Sequence, residues 1–245
     1  MPFQKTVNTY SSPAADGQIA SGNPTAWYVA GPGALVSGAA GLAVAAFAWA
    51  TPIAAGDTPE RADSNALLVA AGTSRAPSGF VVNEQQGNWT ALLQESGMQI
   101  LPNQAIELMT RGDVWKKTPA GVTAVRGQKV YANMLDGSVL GFGATGLNLN
   151  GTAVTASFAT NVMTVTAGSN IKVGSAVIGA GVPANTFVTA QTGGTTGGAG
   201  TYTLSTTPGT IASQSNTVTD YIETRFSVLS IGQAAGDFVK IGFGD

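Results

Sequence analysis

The chain has 245 residues, 44% of them apolar and only 10% charged, with a formal net charge of −2. It holds no histidine and no cysteine, which excludes Ser-His-Asp and Cys-His catalysis, disulfides and the two commonest zinc ligands. The acidic balance argues against a nucleic-acid partner, and so sparse a charge suits a protein that hides part of its surface against other proteins.

Residues 1–23 are low in charge and rich in turn formers, and read as an extended arm that orders on a partner. The first ten residues lack the apolar run of a secretory signal. No charge occurs between Asp16 and Asp57, yet residues 34–50 are mostly Ala and Gly, lie between Pro32 and Pro52, and lack basic anchors. A spanning helix needs about 20 predominantly apolar residues, so no membrane contact is expected. Apolar residues at both parities over 42–49 predict instead one strand buried on both faces. Strands follow at 66–70, 79–82, 104–110, 114–116, 128–132 and 138–142, each short and bounded by turn residues. Asp136-Gly137 predicts a tight primed hairpin turn, and the best helix candidate is 83–96.

From Ala144 to Thr219 there is one charge, Lys172, against 23 in the rest of the chain. This stretch is rich in Gly and Thr, with a low-complexity run at 191–200 (QTGGTTGGAG), and predicts strands at 151–157, 162–166, 175–178, 186–190 and 200–204. It reads as a small β-domain, 144–219, inserted near the C-terminus and ending in a mobile Gly/Thr hairpin tip. Strands at 223–229 and 237–241 then return to complete a core domain of 1–143 plus 220–245. The fold class expected is all-β, a sandwich or barrel (jelly-roll-like) carrying a second, nested β-domain.

Chemistry is scarce. A Ser–Lys dyad would have to use Lys172 and Ser175, and carboxylate pairs would have to come from Glu84 with Glu95 or Glu107 with Asp113. Asp57, Glu60 and Asp63 share a loop with Arg61 but match no calcium-binding pattern, and the glycine runs lack the lysine of a phosphate loop. Arg111-Gly112-Asp113 spells an adhesion tripeptide, read here as a turn between strands. No catalytic, metal or cofactor residue is assigned. Aromatics are enriched at interface centres, so Trp27, Tyr28, Trp89 and Trp115 are the expected interface residues. Trp27 and Tyr28 lead, because neighbours on a strand face opposite sides and only one can enter its own core. On the insert, Asn185, Thr186, Phe187 and Tyr202 are the residue types a glycan site uses.

Several phrases in fixed order carry a resemblance: GQIASGNPTAWYVAGPGALVSGAAGLAVAAFAWA (17–50), PSGFVVNEQQ (77–86), GMQILPNQAIELMTRGDVWKK (97–117), GQKVYANMLDGSV (127–139) and ETRFSVLSIGQAAGDFVKI (223–241). Together they resemble the structural cement (capsid decoration) proteins of tailed bacteriophages, over about two thirds of the chain. The resemblance implies a non-enzymatic virion protein, made in the host cytoplasm and bound outside an icosahedral head. There it would clamp neighbouring major capsid subunits as a homodimer or homotrimer. The segment at 158–205 looks like a small β-module that recurs as an add-on in phage structural proteins. An alternative is a head fibre or adhesion protein whose insert binds host glycans.

Overall fold

The computed structural model describes residues 14–30, 34–51, 60–66, 76–83, 99–144, 151–231 and 236–243. Among them there is no α-helix. In chain order the strands are β1 (Ala26–Trp27), β2 (Leu35–Ser37), β3 (Leu42–Ala43), β4 (Phe47–Thr51), β5 (Glu60–Asp63), β6 (Gly79–Phe80), β7 (Gln99–Ile100), β8 (Met109–Arg111), β9 (Asp113–Lys117), β10 (Lys129–Asn133) and β11 (Val139–Gly143). They continue with β12 (Thr152–Ala159), β13 (Val162–Ala167), β14 (Ala176–Ile178), β15 (Val188–Gly194), β16 (Gly200–Leu204), β17 (Ile211–Thr219), β18 (Tyr221–Val228) and β19 (Phe238–Phe243). The all-β sandwich or barrel expected from the sequence is what forms.

A six-stranded sheet runs β1-β8-β6-β4-β5-β2, antiparallel apart from the β2–β5 pair. A wholly antiparallel five-stranded sheet runs β11-β10-β18-β19-β9. The two share one core, because Phe47 on β4 and Phe80 on β6 meet Phe226 on β18. The Phe47 ring lies edge-on to both others, with centroids 5.1 and 5.4 Å away, the arrangement the ring quadrupole favours. A third sheet, β14-β17-β12-β13-β16-β15, encloses a core of its own built from Val154, Phe158, Met163, Val165, Tyr202 and Leu204 among others.

The chain changes sheet at Gly112, between β8 and β9, with φ at +139°. A side chain there would also meet the Met109 sulfur and the Thr25 methyl, at 2.6 and 3.0 Å. Several expectations need correction. Residues 42–49 do not form one strand: a turn at 44–46, with Ala45 at φ +59°, separates β3 from β4. That turn is stitched to the neighbouring chain by Ala45 N–H donating to Val81 O at 2.9 Å. Residues 104–110 are strand only at their end, β8, with Ala105 bridging to Val36. Asp136-Gly137 is not a two-residue primed turn but part of a five-residue link, 134–138. Asp136 Oδ1 accepts from Ser138 N–H there at 2.9 Å, and of the five residues only Gly137 has positive φ, at +71°. The candidate helix beyond Asn83 and the strand candidate beyond Ala66 lie outside the described residues.

Candidate partner-binding surfaces

Residues 14–23, the described part of the expected arm, run antiparallel beside β9. Gly17 and Ala20 N–H donate to Trp115 and Asp113 carbonyls, and Trp115 N–H donates to Gln18 O, each at 2.8 Å. Ile19 bridges to Val114. Asp16 adds an ion pair with Lys116 at 2.7 Å and accepts from Lys117 N–H. The buried carboxylate of Asp113 accepts from Ser21 Oγ and Asn23 Nδ2, both at 2.7 Å. This segment is therefore part of the fold, and a deletion of residues 2–20 would strip β9 of its neighbour on the side away from β19. The same bonds hold the acid of Arg111-Gly112-Asp113 inside the protein.

The expected interface aromatics separate. Trp27 and Tyr28 are both half-buried and both pack against the shared core. The β1–β8 register is irregular between Ala26 and Trp27, so strict alternation does not apply. Tyr28 Oη donates to Glu60 Oε2 at 3.2 Å. Burial, with the Glu60 charge and that hydrogen bond behind it, holds the phenol above its ordinary pKa. Trp115 is half-exposed on β9, opposite Lys240 of β19. Trp89 lies outside the described residues.

A cleft of about 450 Å³ separates the third sheet from the five-stranded one, with Tyr131, Met134, Tyr221 and Glu223 on one side and Ile178, Val182 and Asn185 on the other. Of the residues considered for glycan contact, Asn185 is exposed at this cleft, with φ +60°. Thr186 is buried and bonds to Pro183 O and Thr206 Oγ1. Phe187 and Tyr202 are 2% and 1% exposed, so neither ring is free to stack on a sugar. Tyr202 belongs to the third sheet's core and donates to Gly198 O at 2.7 Å; burial raises its pKa. Phe187 packs into the core shared by the other two sheets, which makes it a plug between the two bodies of structure. Sequence periodicity has no means of showing a contact of that range.

Lys172 and Ser175 do come together, but around Asp220. Lys172 Nζ donates to Asp220 Oδ2 at 2.8 Å, and Ser175 Oγ donates to Asp220 Oδ1. The hydrogen bond from Lys172 to Asp220, and then the Asp220 charge, raise the lysine pKa. A raised pKa opposes the deprotonated amine that a Ser–Lys dyad uses as its base. Of the acids considered for metal or hydrolysis, Glu60 and Asp63 lie on β5, and burial raises the Asp63 pKa against the opposing charge of Arg61. Glu84, Glu95 and Asp57 lie outside the described residues. No group of three or more acidic side chains fit to hold a metal occurs among the described residues, and no helix there is long and apolar enough to cross a membrane.

A family model described as structural cement protein (E217 gp24/Pam3 gp6), of phages, matches residues 3–178. The match covers the first two sheets up to β11 and continues through β12–β14 of the third. No curated protein matches the chain.

Proposed function

This chain belongs to the structural cement proteins of bacteriophages, a virion structural family, and on that premise we propose that it binds the outer surface of the phage head and clamps neighbouring major capsid subunits. The observation that carries the reading is the family match over residues 3–178. Clamping asks for no chemistry. Each contact contributes modestly, and an oligomer touching several subunits gains through effective concentration; we take the working form to be a homodimer or homotrimer.

We further propose that 144–219 is a nested module, dispensable for head binding. Thr152 pairs with Val218 across β12 and β17, which brings the described beginning and end of the module's sheet about 5 Å apart, the geometry a short join needs. The removed piece would take with it Phe187 and both partners of Asp220, so the shortened core should fold but melt lower. An insoluble product would refute the nested reading.

The clamping role is tested on heads assembled without this chain. Adding the purified protein should raise the temperature at which such heads release their DNA, saturating with the number of capsid subunits. Heads that bind the protein without any gain in stability would contradict it.

A further inference from the structure

The five-stranded sheet turns one face to the shared core, and alternation assigns every side chain to one face or the other. Val114, Val130, Phe226, Val228, Val239 and Ile241 point inward and are buried. The outward set is different in kind: beside the buried Ser227, Gly242, Asp113 and Tyr131 it holds Trp115 and Lys117 on β9, Phe238 and Lys240 on β19, Arg225 on β18 and Lys129 on β10, and these six are exposed or half-exposed. The register sets Trp115 directly opposite Lys240 and Phe238 directly opposite Lys117, so two cation–aromatic neighbours sit side by side. Lys129 lies across from Ser227 one strand further on.

Two of the acids beside this face are engaged elsewhere. Asp113 is buried beneath Ser21 and Asn23, and Glu223 is half-buried at the cleft end, where it accepts from Tyr131 Oη at 3.3 Å. Among the described residues none of the four cations is in an ion pair. Four of the chain's 11 Lys and Arg residues thus converge on one sheet face of a protein whose net charge is −2.

We propose that this outward face is the docking surface for the head and that the partner it fits is an acidic protein surface. The inference rests on the cement role. A strand spacing of about 4.8 Å and a rise of about 3.3 Å per residue make the open patch roughly 20 by 17 Å. That is less than half of the ~800 Å² per partner in a standard interface. A contact so small leans on charge and on repetition over many subunits, so each contact is weak alone and sensitive to salt.

The test is co-sedimentation of the purified protein with heads assembled without it, at about 50 mM and about 500 mM salt, where the screening length falls from about 14 to about 4 Å. The parent should lose affinity steeply with salt. K117Q/K129Q/R225Q/K240Q should bind roughly ten- to thirtyfold more weakly at low salt and lose its salt dependence, while K117R/K129R/K240R should bind like the parent. If the neutralised variant binds within twofold of the parent at low salt, this face is not the docking surface and the cement role stands. If the parent itself fails to bind, both fall. Should the neutralised variant melt below the parent, the parent's own salt curve decides, and an affinity indifferent to salt overturns the proposal.

Discussion

Phe187→Ala tests how the third sheet is joined to the rest of the protein. The ring is 2% exposed and lies in the core shared by the other two sheets, although the chain around it belongs to the third. Removing a buried phenylalanine side chain costs about 3–5 kcal/mol. Because Phe187 also borders the 450 Å³ cleft, water can enter the vacated space, and the low end, about 3 kcal/mol, is expected. For a chain of this length that corresponds to a fall of about 6–12 °C in melting temperature. The assay is selective: all four tryptophans (Trp27, Trp49, Trp89 and Trp115) lie outside 144–219, with Trp27, Trp49 and Trp115 on the first two sheets, so tryptophan fluorescence does not report the insert directly. If Phe187 plugs the two together, the tryptophan-detected transition moves with the substitution. A transition unchanged within 1 °C, with only the far-ultraviolet signal of the insert affected, would refute the plug and leave the third sheet held by its chain crossings and the Lys172 and Ser175 bonds to Asp220.

Two further substitutions follow from local geometry and charge. Gly137→Ala combines φ of +71° with a side-chain carbon only 2.0 Å from Phe47 O, and should cost about 2–4 kcal/mol by denaturant midpoint. Gly121→Ala has φ of +75° but open space and should cost about 1 kcal/mol; equal losses would show that the close approach to β4 is not what fixes the DG loop. Asp63 has its pKa raised in the folded state chiefly by burial, so its contribution to stability is full below the unfolded value of 3.8 and is lost as pH rises through the folded value. Asp63→Asn should therefore melt above the parent at pH 7 and converge with it near pH 3, and a gap that widens on acidification would contradict the burial argument.

The sequence was most readable where alternation meets a turn residue. QKVYA, ETRFSVL and DFVKI emerge as β10, β18 and β19 to within two residues at most ends, because each buries one face against a single core. The nine-residue strand β17 stayed hidden because IASQSNTVT is polar over most of its length. It is held between β12 and β14 by pairing on both sides, with Asn216 buried and bonded to Gln214 O. The break at Ala45 also escaped, since an Ala-rich run offers no periodicity to interrupt and alanine seldom takes positive φ. The Gly/Thr tip expected to be mobile is tied by Gln191, whose Nε2 donates to Thr195 O at 2.7 Å and whose Oε1 accepts from Gly197 N–H. For the candidate surfaces, composition pointed to aromatics, but side-chain accessibility depends on partners distant in sequence. It kept Trp115 at the surface and took Phe187 and Tyr202 from it. The basic outward face was invisible because its cations are scattered along the chain from Lys117 to Lys240 and meet only through strand register.

The most direct test of the cement role is the number of copies of this chain per virion, measured by quantitative mass spectrometry of purified particles beside the major capsid protein. Capsid-wide clamping predicts a ratio near one copy per capsid subunit. A ratio of a few per cent would contradict it, and would place the chain at vertices or fibres.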